Sequence, residues 1–379
     1  MKVAIVTRGI PDSQNLMNGI FEMDQAKALV KAGVEVKLLV VDLRSVRRKR
    51  KFGLSKVKQN GVDCYIISVP LGIAPYSVFC KVGTKALKKL YNYAYPDGEK
   101  PDLIHAHFTR QSAMAAQLAK ETGLPLIVTE HSSDINKEEI SDSLLKIAKK
   151  AYSSADKVIA VSNPLKKSIK EKTGVNSVVI PNIVDTDIFK PNEGIKEPED
   201  CFTFVSVGGL IKRKRMDLLI SAFGRIHKQY PDTRLVIFGR GAERDMLESL
   251  ITSSGLDGSV ELRGLVTRDE IAAQYQKADC FALLSERETF GVAYIEALAA
   301  GLPVVATKCS GPEDFMKEEF GCLIDVNDEN QAVGAMELLY KNIDKYSPDN
   351  ISKEIKATFS PESVSESVIK IYREVLENR

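Results

Sequence analysis

Ser285-Glu286-Arg287-Glu288-Thr289-Phe290-Gly291-Val292-Ala293-Tyr294-Ile295-Glu296-Ala297-Leu298 is the stretch whose reading decides the fold. Ala278–Leu284 before it is a short apolar run, the pattern of a buried strand. After it, Val292, Ile295, Ala299 and Ala300 recur at helical spacing until Gly301-Leu302-Pro303 ends the helix. The order strand, polar loop, glycine, helix puts Glu288 in a loop at the carboxyl edge of a parallel sheet, where such folds bind ligands. The amides of Phe290, Gly291 and Val292 fall at the helix start, where donors lack intrahelical acceptors. Glu296 lies within an apolar helical segment, and a carboxylate there is costly unless something bonds to it. One acid before a helix and one inside it suit a ligand with hydroxyls at two places. A surface capping acid plus a satisfied core acid fits the same residues, and the stretch alone leaves both readings open.

The same alternation extends in both directions. Upstream, the strand Phe202–Val207 leads into Gly208-Gly209-Leu210-Ile211-Lys212-Arg213-Lys214-Arg215, a loop with four consecutive cations. A helix from Met216, the strand Arg234–Phe238, a helix over Glu243–Ser253, the strand Val260–Arg263 and a helix from Thr267 follow. Downstream come the strand Pro303–Ala306, the loop Lys308–Glu313 and several short helices. The last helix, about Pro361–Leu376, follows the completed second sheet. The first half reads alike: the strand Lys2–Val6, a polar loop from Arg8 to Gly19, a helix over Ile20–Ala32 and the strand Val34–Val41. It continues with strands at Asp102–Phe108, Pro125–Glu130, Lys157–Ser162 and Val178–Pro181, and with helices between them, one near 138–152. These elements predict two doubly wound α/β domains. The N-terminal domain is expected over 1–187 and the C-terminal one over 188–360. A Pro/Glu/Lys-rich linker runs through Phe189–Asp200, and the helix of 361–379 packs back on the first domain.

Length and composition fit this reading. With 379 residues, 44% hydrophobic and 27% charged, the chain suits two folded domains and not a disordered one. No apolar run approaches the roughly 20 residues that span a bilayer. Met1 leads straight into a strand with no signal-peptide pattern, and the six cysteines show no paired metal-ligand spacing. Buried, reduced thiols in a cytoplasmic protein are therefore expected. The net charge of +2 hides an asymmetry: residues 1–190 carry 30 Lys+Arg against 19 Asp+Glu, or +11, and the remainder carries −9. Different partners for the two halves follow.

Two basic elements lie in the first half. Arg44, Arg47, Arg48, Lys49, Arg50 and Lys51 form a run that reads as a solvated loop or as an anionic-surface contact. Tyr76–Tyr93 sets Val78, Phe79, Val82, Ala86, Leu87 and Leu90 among Lys81, Lys85, Lys88 and Lys89, a basic amphipathic helix that packs on the core or lies on lipid headgroups. Neither offers an arrangement for stacking or reading bases, so nucleic acid is not expected. His105-x-His107 shares one strand face, and with only His131 and His227 besides, no metal centre is expected. His131 ends a strand and is the better site candidate. Asp185-x-Asp187 resembles the metal-binding pair of another class of sugar-transferring enzyme, but its place in an interdomain turn reads as structural. The loop ending at Gly19 lacks Gly-x-Gly-x-x-Gly, so the dinucleotide fingerprint is absent.

Taken together, the chain resembles the family 4 retaining glycosyltransferases of the GT-B fold (glycosyl transferases group 1) over nearly its whole length. The motifs are the loop ending at Gly19, Asp102–His107, Thr129–His131, Val158–Ser162, Ile180–Asp187, Val207–Asp217, Val236–Gly241, Ser285–Ala297, Gly301–Ala306 and Gly311–Pro312. The most specific is the Glu-x₇-Glu pair of Glu288 and Glu296 ahead of a Gly-x-Pro-Val-Val strand. The resemblance implies two facing Rossmann-like domains with a nucleotide-sugar cleft between them. It implies that Glu288, helped by the Phe290–Val292 backbone, binds hydroxyls of the donor sugar and that Glu296 binds the ribose. Lys214, with Arg213 nearby, would neutralise the diphosphate; Gly19 would bring helix amides to it. His131 would contact the transferred sugar, and Gly311 would border the donor. The family commonly has an arginine where this chain has Gly209, which leaves open whether Arg213 or Arg215 supplies the second cation.

The expected function is metal-independent transfer from a UDP- or GDP-sugar to a saccharide or lipid-linked acceptor. It would occur in the cytoplasm or peripherally on the cytoplasmic face of a membrane, through Arg44–Lys51 and Lys81–Lys89. Three other readings remain: a sugar-nucleotide epimerase of the same fold, a nicotinamide oxidoreductase, and a non-catalytic sugar- or membrane-binding module.

Overall fold

Apolar strand runs alternate with amphipathic helices along the chain, and buried parallel sheets with helices on their faces are the packing solution to that pattern. The structure, a computed structural model, describes residues 1–12, 15, 17–47, 49–137, 139–192 and 201–378. Ser13, Gln14 and Leu16 of the first loop, Arg48 of the cation run and Glu138 near the fourth helix lie outside the described residues. So do positions 193–200 of the linker and Arg379.

The chain divides into two compact units, Met1–Ile183 with Pro361–Arg379, and Val184–Ser360. Unit 1 contains β1 (Lys2–Thr7), α1 (Ile20–Lys31), β2 (Glu35–Asp42), β3 (Gly53–Gln59), β4 (Val62–Ser68), α2 (Tyr76–Ala94), β5 (Leu103–His107) and α3 (Thr109–Thr122). It continues with β6 (Leu126–Glu130), α4 (Asp142–Ser153), β7 (Lys157–Ala160), α5 (Asn163–Thr173) and β8 (Val178–Val179). Its sheet runs β3-β4-β2-β1-β5-β6-β7-β8, parallel except at the β3 edge. Strand order reverses at β1, between β2 and β5, so the loops after β1 and β5 diverge there and open a crevice.

Unit 2 contains β9 (Phe202–Val207), α6 (Met216–Gln229), β10 (Thr233–Phe238), α7 (Arg244–Ser253), β11 (Val260–Arg263), α8 (Arg268–Tyr275) and β12 (Cys280–Leu283). α9 (Val292–Ala299), β13 (Val304–Thr307), β14 (Gly321–Ile324), α10 (Glu329–Lys341) and α11 (Pro348–Phe359) complete it. The sheet order β11-β10-β9-β12-β13-β14 is parallel throughout and reverses at β9. The final helix, α12 (Pro361–Glu377), belongs to unit 1. Its Val364, Val368, Ile371, Tyr372 and Val375 follow helical spacing and are buried in the core with Met23, Leu29, Val3 and Ile5.

Two elements differ from the sequence reading. The unassigned stretch between Lys51 and Tyr76 holds the β3–β4 hairpin, turned by Asn60 (φ 50) and Gly61 (φ 81), the left-handed pair a two-residue hairpin favours. The first sheet therefore has one antiparallel edge strand. The tail expected to be only helices contains β14, which pairs with β13 alone.

Candidate active site

In unit 2 the reversal at β9 makes β9 and β12 neighbours, so the loops leaving their carboxyl ends meet. The β9 loop closes into a single 3-10 turn, Lys212–Lys214, which aims Lys214 across at the β12 loop. Lys214 Nζ donates to Glu288 Oε1, and Ser285 Oγ donates to the same oxygen at 2.7 Å. Arg213 Nη1 stands 3.8 Å from Glu288 Oε2 and donates to the Arg287 carbonyl at 3.1 Å. Glu288 is only 8% exposed, and these partners compensate its carboxyl for the water it loses. The loop after β13 joins by backbone: Glu288 N donates to Cys309 O (2.9 Å) and Gly311 N to Glu288 O (3.0 Å).

Gly291 caps α9 at φ 94, where a side chain would also run into the Tyr294 ring at 2.8 Å. Among the described residues the amides of Phe290, Gly291 and Val292 find no acceptor, and Lys214 and Arg213 meet the Glu288 carboxylate two residues earlier in the same loop. Two cations, one carboxylate and a helix start meet in these two loops, an arrangement chemically able to accept an anion. Arg215 is not part of it. Its guanidinium is held by Asp217 at 3.0 Å and lies 3.5 Å from Glu286, so Arg213 is the cation beside Lys214. Glu296 is buried in α9 and paired with Arg268 Nη2 of α8 at 3.3 Å, apart from the Lys214 cluster. The sequence reading does not single out Arg268, Ser285 or the buried Tyr275 hydroxyl, which has no hydrogen-bond partner among the described residues. Nothing in the spacing of Arg268 and Glu296 marks them as partners.

In unit 1 Gly19 caps α1 at φ 70, packed so closely on Gly9 that a Cβ would lie 2.0 Å from the Gly9 carbonyl oxygen. Phe21, in the first turn of α1, stacks on His131 at 5.9 Å, which brings this helix start and the histidine together. His131 is hydrogen-bonded at both nitrogens: Nε2 to His107 Nδ1 (2.9 Å) and Nδ1 to Asn182 Oδ1 (2.8 Å). With Asn182 accepting, Nδ1 bears the proton and Nε2 accepts from His107. Burial holds both His105 and His131 down to about 3, so both are neutral at pH 7. His131 can thus meet a sugar through a ring nitrogen only by exchanging one of these partners.

Glu130 fixes the turn that carries His131. Thr109 (2.6 Å) and Tyr152 (2.5 Å) donate to its Oε2, and the amides of His131 (2.9 Å) and Ser132 (2.7 Å) to its Oε1. Phe108 holds φ 66 and ψ 151, a backbone state costing a non-glycine residue about 1–3 kcal/mol. Such strain persists where surrounding structure imposes it, here beside His131 (4.9 Å) and under the Arg8 guanidinium (4.3 Å).

The remaining candidates stand elsewhere. Arg44 and Arg50 turn inward onto Asp42 (2.9 and 2.6 Å), while Arg47, Lys49 and Lys51 are exposed. The apolar face of α2 is buried through Ala86, Leu87 and Leu90, leaving Lys81, Lys85 and Lys89 exposed. Asp185 closes a turn by accepting from the Asp187 amide at 3.3 Å. Among the described residues no group of three His, Cys, Asp or Glu side chains is arranged to hold a metal, and no helix is long and apolar enough to cross a membrane.

Comparison with known proteins agrees with this architecture. Residues 23–188 match Glycosyltransferase Family 4, and residues 187–357 match Glycosyl transferases group 1. The Methanocaldococcus jannaschii protein named "Uncharacterized glycosyltransferase MJ1178" is 30% identical over 285 residues, covering 74% of this chain and 77% of that protein. A phosphatidylinositol N-acetylglucosaminyltransferase component from Arabidopsis thaliana is 26% identical over 283 residues, 73% of this chain; the match spans 63% of its length, less than two thirds. The crystal structure of Anabaena Alr3699/HepE in complex with UDP superposes with a TM-score of 0.76 at 19% identity, over 99% of this chain and all of that one. With two sheets that reverse at β1 and β9 and acids in the loop before α9 and within it, the chain belongs to the family 4 glycosyltransferases, glycosyl transferases group 1, and has the GT-B fold.

Proposed function

We propose that the protein moves a sugar from a nucleoside-diphosphate sugar to an acceptor hydroxyl, with retained anomeric configuration and without a metal ion. The observation supporting this best is the Lys214–Glu288–Ser285 cluster, with Arg213 and the open Phe290–Val292 amides beside it. Breaking the bond between the sugar C1 and the diphosphate builds negative charge on the leaving oxygen. Fixed cations and helix amides stabilise that charge with no reorganisation at the moment of reaction. On donor binding, Glu288 exchanges Lys214 for hydroxyls of the sugar, and Lys214 turns to the diphosphate. Glu296, oriented by Arg268, takes the ribose hydroxyls. Gly311 borders the sugar. Gly19 offers amides to the diphosphate, and His131 contacts the transferred sugar.

Among the described residues no second carboxylate joins the cluster as a nucleophile, which favours attack on the face the diphosphate leaves. The acceptor oxygen bonds to C1, the C1–phosphate bond breaks, and the acceptor proton passes to a phosphate oxygen. UDP is the leading nucleotide, since a protein of the same fold is seen with it, and GDP is the next. The acceptor is a lipid-linked saccharide or polysaccharide precursor reached in the cytoplasm at a membrane surface. The exposed Lys81, Lys85 and Lys89 approach anionic headgroups; their replacement by Gln should weaken sedimentation with phosphatidylglycerol vesicles, and equal sedimentation would remove the membrane contact.

A thermal-shift screen of UDP-, GDP- and ADP-sugars tests the donor. A ligand at a hundredfold its Kd stabilises the folded state by about 2.7 kcal/mol, a rise in Tm of a few degrees. If none shifts the melt, the reading fails.

A further inference from the structure

A cavity of about 710 Å³ opens at the carboxyl edge of the unit 1 sheet, within the size range of small-molecule sites. It is lined by the loops after β1, β2, β4, β5 and β6, so every strand end near the reversal contributes. Two of its arginines form no ion pair among the described residues. Arg8 makes no hydrogen bond there either and lies over the Phe108 ring at 4.3 Å. The acid that feels its charge, Glu22, is fully buried, and burial raises that carboxyl towards its neutral form. Arg110 lies over Tyr76 and Phe79 (4.6 and 5.1 Å), and its only hydrogen bond there goes to the Tyr76 hydroxyl at 3.1 Å. Gln111, 4% exposed, lines the same cavity, and its amide group has no partner among the described residues.

The other charges around the cavity cancel locally. Arg44 is held by Asp42 at 2.9 Å, and the Asp134 carboxylate by Lys137 at 2.5 Å. The uncompensated charge is that of Arg8 and Arg110. Stacking on an aromatic face fixes a guanidinium plane and leaves its N–H edge for a ligand, an arrangement that suits a forked anion. Leu43, Ile73 and Phe79 supply an apolar wall to the same cavity, and Ile73 is fully exposed.

The geometry points to an acceptor that is itself an anion: its phosphate or carboxylate group binds Arg8, Arg110 and Gln111, and an adjoining apolar portion rests on Leu43, Ile73 and Phe79. That the ligand is the acceptor rests on the transferase reading above; that the cavity binds an anion does not.

Isothermal titration with inorganic phosphate and with dihexanoyl phosphatidic acid below its micelle concentration tests this on the full chain. Both should bind. Arg8→Gln and Arg110→Gln, at exposed positions that leave the fold intact, should each weaken binding about tenfold or more. Lys214→Ala weakens the separate anion surface of unit 2, so the arginine substitutions are also read in that background, where phosphatidic acid should still bind and still respond to them. Binding that is absent from the wild type, or indifferent to both arginine substitutions in either background, overturns the site. Tighter binding of the phosphatidic acid than of phosphate supports the apolar wall, and equal affinities overturn it, leaving a water-soluble anion. UDP titration of the wild type is read separately: its failure counts against the donor reading and not against this cavity.

Discussion

At the residue scale, Lys214 is paired with Glu288, so substituting either disturbs both the fold around the pair and the proposed reaction. Lys214→Ala should lower kcat by about 10²–10³, the usual loss for one donor to a developing anion. It should also destabilise unit 2, because a mostly buried carboxylate loses its partner; Arg213 at 3.8 Å limits the damage to less than the about 3–5 kcal/mol of a fully broken pair. Steady-state kinetics with a nucleotide sugar, and urea unfolding of the same preparation, check both halves; unchanged kcat would remove Lys214 as the diphosphate cation. Glycines separate in the same way. A Cβ on Gly209 meets its nearest neighbour, the Arg240 carbonyl oxygen, at an ordinary 3.8 Å, whereas one on Gly19 would lie 2.0 Å from backbone at φ 70. Gly209→Arg should therefore fold with a Tm within a few degrees of wild type and bind UDP more tightly, while Gly19→Ala loses more than about 1 kcal/mol. A melting curve and a UDP titration decide this. Glu296 is legible because it interrupts apolar helical spacing, and Glu288 because it lies in the polar loop between a strand and a helix. Arg268 and Ser285 are not, since their roles arise from chain segments brought together only by the strand order.

At the element scale, the facing histidines of β5 and of the turn after β6 tie three segments together. His105 Nδ1 meets the Tyr372 hydroxyl of α12 at 2.6 Å and His105 Nε2 meets Thr129 of β6 at 2.7 Å, while His107 stacks on His105 at 4.5 Å. Burial holds His105 down to about 3. The unfolded imidazole protonates near 6.5 and the folded one does not, so this contribution to stability is intact above about pH 6.5 and is lost as the pH falls towards 3. Burial raises the Glu22 and Glu130 carboxyls, which acts with the opposite sign, so the wild-type profile alone is mixed. The difference between wild type and His105→Gln isolates the histidine: it should shrink by about 1.4 kcal/mol per pH unit between pH 6 and 4.5 in urea titrations. Parallel profiles would contradict the buried neutral state. The elements themselves were uneven in the sequence. Long helices and apolar strands stood out by period, but β3 has exposed lysines at 56 and 58 and reads as polar loop, and only Asn60-Gly61 signals its hairpin. β14 is four residues long and pairs on one side only, too short for a pattern.

At the scale of the whole molecule, the chain leaves unit 1 after Ile183, completes unit 2 and returns at Pro361 with a helix the first core requires. Position after the second sheet made that return readable, and five apolar residues at helical spacing gave α12 a face to bury. Which core received it could not follow from spacing, because both sheets have apolar faces to cover. Each of Val364, Val368, Ile371, Tyr372 and Val375 contributes about 1.5–3 kcal/mol by burial, an upper range since unfolded chains already hide some surface. Together they are comparable to the about 5–15 kcal/mol that holds a domain folded. The Tyr372–His105 bond adds to this. Ending the chain after Ser360 should therefore unfold unit 1 selectively, since unit 2 closes on itself with Val184 N donating to Phe359 O at 2.9 Å. Differential scanning calorimetry of the shortened chain should show unit 2 melting alone, and UDP should still shift that transition because Lys214, Glu288 and Glu296 all lie in unit 2. If the shortened chain keeps the full unfolding enthalpy, α12 is dispensable; if it loses the UDP-shifted transition as well, the units are one cooperative body and the division at Ile183 and Ser360 has no thermodynamic meaning.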